Sequence, residues 1–155
     1  MSEESSSSSN LKFSAAEINL VLHATEDVTK VLEAIEDALL VPINRFTSSS
    51  LEGHYKNKIV LQKAILSSQE AGSLAKKVIS LLNSADRDRL SRLLHEYSDE
   101  KGNLYIRLDK QRMCQGRASL SEADAIRIRF KPVKRYTHSG TAQGYIDLFQ
   151  SNLNG

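Results

Sequence analysis

The stretch AEINLVLHATEDVTKVLEAIEDALL, residues 16–40, contains a strand and then a helix, and it decides the fold class. In its first part Ile18, Leu20 and Leu22 point to one side of an extended chain while the residues between them point to the other. Thr25 is the predicted N-cap, and the two acidic residues after it favour a helix start because they face the positive end of the helix dipole. Apolar residues at helical spacing then predict a helix to the end of the stretch: Val28, Val31, Leu32, Ile35 and Leu39.

The rest of the chain contains further segments with the same two periodicities. Turn residues around Gly102, followed by alternating apolar residues over 104–109, predict a hairpin. Because strands and helices do not alternate regularly, we expect an α+β domain, a mostly antiparallel sheet with helices on one face. The other predicted segments are a polar loop over Thr47–Ser50, strands over Ile59–Leu66 and Ala125–Lys131, helices over Ser67–Leu82 and Ala85–Leu93, and a helical turn over Lys110–Gln115.

The two ends of the chain differ from the middle in composition. Residues 1–13 are rich in serine and glutamate, which bury too little surface to offset the entropy of ordering, so they are predicted to be a disordered tail. Residues 136–155 are mostly polar and are predicted to be a flexible C-terminal tail. A single α+β domain is therefore expected over residues 14–135.

Composition excludes several classes of protein. No apolar run exceeds five residues, far below the roughly 20 that cross a bilayer, so no membrane span is expected. The single cysteine, Cys114, allows neither an internal disulfide nor a site with several thiolates. The N-terminus lacks the apolar stretch of a signal peptide, so we expect a cytoplasmic protein. The histidines and carboxylates form no recognisable catalytic or metal-binding set, so we expect no metal, no cofactor and no enzymatic activity.

The net charge of +2 conceals a strong asymmetry along the chain. Residues 1–40 hold two basic and eight acidic residues, whereas residues 101–135 hold ten basic and three acidic residues. Within the basic segment Arg127, Arg129 and Lys131 alternate with apolar residues, which places them about 6.6 Å apart on one side of a strand. Such a row favours contact with an anionic polymer; the alternative is a solvated strand edge that its charges keep soluble.

Two further groups of residues suggest nucleic-acid contact. In the loop over 52–58, Tyr55 could stack on an unpaired base while neighbouring lysines contact phosphates. The alternative is that Gly53 serves a bulge and Tyr55 packs on the sheet. A second basic group lies beside the predicted hairpin, where Asp109 is a potential ion partner. The candidate RNA-binding residues are therefore His54, Tyr55, Lys56, Lys58, Arg107, Lys110, Arg112, Arg127, Arg129 and Lys131.

Three motifs, HATED (23–27), EGHYKNKIVL (52–61) and GNLYIRLDKQ (102–111), follow one another in the order and spacing of a known family. The chain resembles the archaeal RNA-binding proteins and predicted exosome subunits, a family similar in fold to the ribosomal protein that binds the smallest rRNA of the large subunit. The resemblance implies that fold, contact with RNA, and a link to RNA processing or decay with the exosome as partner. The chain departs from the family at Lys56 and Lys58, which add charge where glycine and proline are common. The motif residues carried over are Thr25, Asp27, Gly53, His54, Tyr55, Asn57, Arg107, Asp109 and Lys110.

The C-terminal sequence QGYIDLFQ, residues 143–150, is similar to the peptide that docks many proteins on the DNA sliding clamp. Gln143, Ile146 and Phe149 would be the partner-binding residues, although the second aromatic residue of that peptide is missing. The alternative is that Tyr145, Ile146 and Phe149 fold back onto an apolar patch. The main hypothesis is therefore a non-catalytic RNA-binding module. The other is an interaction subunit that docks on a larger complex through its acidic first helix or this tail.

Overall fold

The computed structural model describes residues 11–52, 58–123, 125–133 and 138–151, and these form five strands and six α-helices. All strand pairs are antiparallel, in the order β2-β3-β1-β5-β4, which confirms the predicted α+β class. In these ranges no helix is both long enough and apolar enough to cross a bilayer. The elements are β1 (Phe13–His23), α1 (Val28–Leu39), β2 (Phe46–Glu52), β3 (Lys58–Leu66), α2 (Ser68–Leu81), α3 (Ser84–Arg92), α4 (Leu94–Tyr97), β4 (Leu104–Asp109), α5 (Lys110–Cys114), β5 (Ala125–Pro132) and α6 (His138–Gln150).

Strand β1 lies at the centre of the sheet and shows how the two faces differ. Ile18, Leu20 and Leu22 are at most 2% exposed, whereas Asn19 and Val21 between them are partly exposed. Helices cover the face that carries Ile18, Leu20 and Leu22, because packing an amphipathic helix on the apolar side of a sheet buries the apolar surfaces of both. The helical side chains that join this core come from α1 and α2: Val31, Leu32, Ile35, Leu74, Val78 and Ile79.

The turn between β1 and α1 is capped by a different residue from the predicted one. The carboxylate of Asp27 accepts a hydrogen bond from the backbone N–H of Lys30 at 3.2 Å and is the N-cap of α1. The predicted N-cap, Thr25, is therefore wrong. Glu26 closes the turn from the other side by accepting the backbone N–H of His23 at 3.0 Å.

Strand β2 was not expected, since its residues Thr47–Ser50 read as a polar loop. The segment pairs with β3 in an unbroken register from Phe46 opposite Ala64 to Glu52 opposite Lys58. The loop prediction is wrong because β2 is an edge strand exposed on both faces, so its sequence carries no apolar alternation. Backbone hydrogen bonds to β3 hold it instead.

The predicted hairpin before β4 is also only partly formed. Gly102 occupies the expected turn with a φ of 86°, a conformation that glycine adopts without steric penalty. The first strand of the hairpin is reduced to one bridge between Ser98 and Leu104, because the residues before it form α4.

The C-terminal segment is a structural helix over most of its length. Tyr145 and Phe149 of α6 are each 1% exposed, and their rings stack at 6.1 Å, while Tyr145 also lies 6.1 Å from the ring of Phe13. The Tyr145 hydroxyl donates to the buried carbonyl of Gly102 at 2.6 Å. The prediction of a flexible tail over 136–155 is therefore wrong for α6, because a few aromatic anchors outweigh its polar composition.

The N-terminal boundary of the domain also moves. Phe13, placed in the serine-rich tail by its composition, begins β1 and is 6% exposed against Phe130 at a ring distance of 5.3 Å. Residues 1–10 of the predicted tail lie outside the described residues.

Candidate nucleic-acid interface

The sheet face opposite the helices, here called the outer face, carries a row of basic side chains. Strand register places Arg107 of β4 directly opposite Arg127 of β5, followed by Asn19 of β1 and Lys63 of β3. Both arginines are exposed, and among the described residues no carboxylate forms an ion pair with either. Like charges directly opposite each other on a sheet are destabilising. An anion bound between the two arginines would offset that cost.

The neighbouring row of the outer face contains a carboxylate. Arg129 lies between Tyr105 and Glu17 by register, and its guanidinium is 3.6 Å from the Glu17 carboxylate. Lys63 approaches the same carboxylate at 3.6 Å. Burial acts to raise the pKa of Glu17, but a hydrogen bond from Asn19 and the two cations outweigh it, so the pKa lies below its ordinary value. Arg129 therefore has an acidic partner, but Glu17 is one carboxylate shared by two cations, so the two rows taken together stay positive.

The two rows line a depression of about 570 Å³, here called the sheet groove. Its wall is the segment over 119–122, which runs along the free edge of β4: the Ser121 N–H donates to the Arg107 carbonyl and the Asp109 N–H to the Ser119 carbonyl, both at 2.9 Å. Glu122 of this wall is paired with Arg89 at 2.9 Å. The groove is lined by two tyrosines, three arginines and three carboxylates: Tyr97, Tyr105, Arg107, Arg127, Arg129, Glu17, Glu96 and Glu122.

An aromatic residue that sequence reasoning missed stands in the sheet groove. Tyr105 is 40% exposed, and its hydroxyl donates to the Asp99 carboxylate at 2.8 Å. That hydrogen bond raises the pKa of Tyr105. The sequence signal was available, because Tyr105 alternates with buried residues of β4 in step with Arg107.

Four of the predicted binding residues share the outer face. Arg107, Arg127, Arg129 and Lys131 are all exposed and belong to β4 and β5. Lys131 continues the row beyond Arg129, opposite Ala15 of β1. The alternation that predicted a charged strand side is therefore confirmed as geometry.

Lys110 does not belong to this surface, and its prediction as a binding residue is wrong. It is 4% exposed, and its ammonium donates to the Val21 carbonyl at 2.8 Å and to the Glu26 carboxylate at 3.1 Å. Asp109, the expected ion partner of the basic group, instead caps α5 by accepting the Arg112 N–H at 2.8 Å. Arg112 is exposed on α5, outside the two rows of the sheet.

Of the predicted binding residues in the loop over 52–58, the structure describes Lys58, and Lys58 does not lie on the outer face. Alternation along β3 places Lys58 and Lys63 on opposite sides of the strand. Lys58 lies on the same side as the buried Gln62, and the helices cover that side. Lys58 itself is exposed, and its contact with phosphates stays a prediction. Gly53, His54, Tyr55, Lys56 and Asn57 lie outside the described residues.

The clamp-like peptide is not available as a docking motif. Phe149 is in the core, and Gln143 donates to Asp147 at 2.9 Å within α6. A docking peptide must insert its aromatic residue into a partner, which burial prevents here. The alternative, that Tyr145, Ile146 and Phe149 fold back onto an apolar patch, is confirmed for Tyr145 and Phe149, whereas Ile146 is half-buried and outside the core. Over the described ranges, no group of three or more histidine, cysteine or acidic side chains is placed to hold a metal ion.

These features define a class: an α+β domain with an antiparallel sheet, helices on one face, and on the other a groove that three arginines line. The chain belongs to the RNA-binding family, whose model, described as RNA binding, matches residues 15–132. It is 36% identical over 120 residues to the RNA-binding protein PAB1135 of Pyrococcus abyssi, covering 74% of this chain and 78% of that one. An uncharacterized protein of Methanocaldococcus jannaschii, MJ0213, is 31% identical over 117 residues, covering 70% of this chain and 76% of that one.

The fold recurs in a solved structure. Mth689, a DUF54 protein from Methanothermobacter thermautotrophicus, superposes with a TM-score of 0.73 at 23% identity, covering 90% of this chain and 99% of that one. At that identity the likeness concerns the fold alone.

Proposed function

We propose that this chain is a non-catalytic RNA-binding protein that contacts RNA phosphates through the outer face of its sheet. The observation that carries the proposal is the cross-strand pair Arg107 and Arg127, two exposed cations in register with no ion-pair partner among the described residues. Membership of the RNA-binding family supports the identity of the anion.

The physical reason lies in the spacing of the charges. Side chains opposite each other on a sheet have Cβ atoms about 5 Å apart, so the two guanidinium groups can bind adjacent phosphates of one strand. Each guanidinium presents several N–H donors in a fixed fork, and hydrogen bonds to a phosphate are charge-assisted. Arg129 and Lys131 extend the row along β5, so successive phosphates of one strand can be followed across the face.

The proposal is tested by the salt dependence of RNA binding. If the four basic residues of β4 and β5 neutralise four phosphates of a single strand, log K should fall against log salt with a slope of about −2.8. Arg127→Glu should weaken binding and make that slope less negative. Because Arg127 is exposed, the melting temperature of the protein should change by no more than a few degrees.

The matched control is Lys76→Glu, which makes the same charge change at an exposed position of α2, on the helix layer. We expect this variant to bind RNA nearly as the unaltered protein does. Binding that ignores salt, or equal losses in the two variants, would show that the outer face is not the contact surface.

A link to the exosome and to RNA processing, and a likeness to the ribosomal-protein fold, stay predictions supported by the resemblance of the three motifs. Size exclusion of the protein from cell extract after nuclease treatment separates the alternatives. Co-elution with a large complex that survives nuclease would favour docking through protein contacts, and loss of co-elution would favour recruitment through RNA.

A further inference from the structure

The ring of Tyr105 is held in a fixed position on the outer face. One end is part of β4, and the hydroxyl at the other end is bound by Asp99 Oδ2 at 2.8 Å. Asp99 is itself held, since it accepts the side-chain amide of Asn103 and the backbone N–H groups of Lys101 and Asn103, all at 2.9 Å. Burial acts to raise the pKa of Asp99, but the hydrogen bonds from Asn103 and Tyr105 outweigh it, so this carboxylate stays ionised at neutral pH.

The surroundings of Tyr105 distinguish it from the other exposed apolar side chains. Leu40, Leu51 and Ile65 are exposed outside the sheet groove, whereas Tyr105 lines it. Arg107 follows Tyr105 two residues later on the same side of β4, and Arg129 is the cross-strand neighbour of Tyr105. The flat, immobilised ring of Tyr105 lies between the guanidinium groups of Arg107 and Arg129. It offers a surface on which a base can stack, and the two guanidinium groups can donate hydrogen bonds to phosphates on either side.

The groove also has the size of a small-molecule site. Its volume of about 570 Å³ falls within the ~300–1,000 Å³ of clefts that enclose a small ligand. A single nucleotide splayed out of a strand can occupy such a cleft. A duplex cannot, because its bases are paired and stacked inside the helix and present no free face to a protein ring.

We infer that the sheet groove binds one unpaired base of a single-stranded RNA, with the base stacked on Tyr105 and the flanking phosphates on Arg107 and Arg127. This inference rests on the proposed RNA-binding function and adds to it the class of RNA. It assigns a stacking role to Tyr105, whereas the stacking role of Tyr55 stays a prediction from the sequence. Stacking is sequence-tolerant, so every base should bind, and the strand state of the RNA rather than its sequence decides affinity.

The chain contains no tryptophan, so Tyr105→Trp places a single tryptophan, which can be excited selectively over the remaining tyrosines, at the stacking position. Three probes of equal length suffice: a single-stranded oligonucleotide, the same strand with abasic positions, and a blunt duplex. We expect saturable quenching by the single strand and little quenching by the other two probes. A fluorescence change of equal size with all three probes would overturn the inference.

Two variants measure the contribution of the ring in the protein without a fluorophore. Tyr105→Leu should weaken single-strand binding by roughly five- to hundredfold, the usual effect of losing one stacked base, and should leave the weaker duplex binding unchanged. Tyr105→Phe keeps the ring and should lose much less. Thermal unfolding of both variants shows whether the sheet is intact, and the Tyr105→Trp titration decides the question if Tyr105→Leu does not fold.

The outcomes separate this inference from the proposed function. If Arg127→Glu weakens single-strand binding while Tyr105→Leu does not, the stacking site is wrong and RNA binding by the outer face stands. If neither variant changes binding, both proposals fail. If single-stranded and duplex RNA bind the unaltered protein equally well, the groove does not select unpaired bases.

Discussion

Replacement of Phe149 by alanine tests whether α6 is part of the fold. The side chain is 1% exposed and stacks on Tyr145 at a ring distance of 6.1 Å, with an angle of 13° between the ring planes. Tyr145 in turn contacts Phe13 of β1, so the substitution removes the end of an aromatic chain that ties the last helix to the first strand. A flexible tail would lose nothing by the same change.

The expected magnitude follows from the burial. Truncation of a fully buried phenylalanine to alanine removes its transfer free energy and leaves a cavity, a loss of about 3–5 kcal/mol. In a domain of this size each kcal/mol lowers the melting temperature by about 2–4 °C, so a decrease of roughly 6–20 °C is expected. That loss is a large fraction of the ~5–15 kcal/mol by which a typical domain is stable.

The assay is urea and thermal unfolding followed by circular dichroism, with Gln150→Ala as the matched control. Gln150 is the exposed neighbour of Phe149 on α6, so its truncation should change the free energy of unfolding by less than about 0.5 kcal/mol. If Phe149→Ala were as stable as Gln150→Ala, the packing of α6 on the core would be refuted.

Two further predictions concern positions remote from the outer face. Leu40, the C-cap of α1, is 69% exposed at a φ of 62° and ψ of 32°, so Leu40→Gly should relieve steric strain and stabilise the fold by about 1 kcal/mol, measured by urea unfolding; a decrease in stability would contradict this. A side-chain hydrogen bond from Arg45, followed by hydrogen bonds from Ser67, lowers the pKa of Glu70 from 4.5 to about 2. Because the pKa is lower in the folded state, the stability advantage over Glu70→Gln should be complete above about pH 5 and should decrease as the pH falls from about 4.5 towards 2. An advantage that is the same at about pH 6 and pH 2 would show that the ionised carboxylate does not contribute.

The elements that periodicity predicts are those with one buried and one exposed side. The central strands β1 and β5 and the helices α1 and α2 each pack one side on the core, so their apolar residues recur at a regular interval. Strand β2 has no buried side, and backbone hydrogen bonds to the next strand, β3, hold it, which leaves no apolar alternation in its sequence. Helix α6 depends on a few aromatic contacts whose partners are distant, so its local composition resembles a tail.

The candidate site was predictable to the same degree. Alternation within β5 places Arg127, Arg129 and Lys131 on one side, and this needs no knowledge of the partner strand. The position of Arg107 opposite Arg127 and of Glu17 opposite Arg129 requires the strand order β1-β5-β4, which depends on contacts between residues about 20 to more than 100 positions apart. Such register is fixed by the packed fold rather than by local sequence.

Lys110 and Arg127 are two cations of the same domain with opposite surroundings, one buried and paired and the other exposed. Lys110 is buried, and its ammonium is satisfied by the Glu26 carboxylate and the Val21 carbonyl, so it fixes the end of β4 to the end of β1. Arg127 is exposed opposite a second arginine, and a like-charge pair of this kind costs up to about 1 kcal/mol. The fold tolerates that cost because its core lies on the other face of the sheet, where the helices pack. We therefore expect substitutions of the exposed cations on the outer face to change the proposed RNA binding with little effect on folding, whereas substitutions at Lys110 should destabilise the fold.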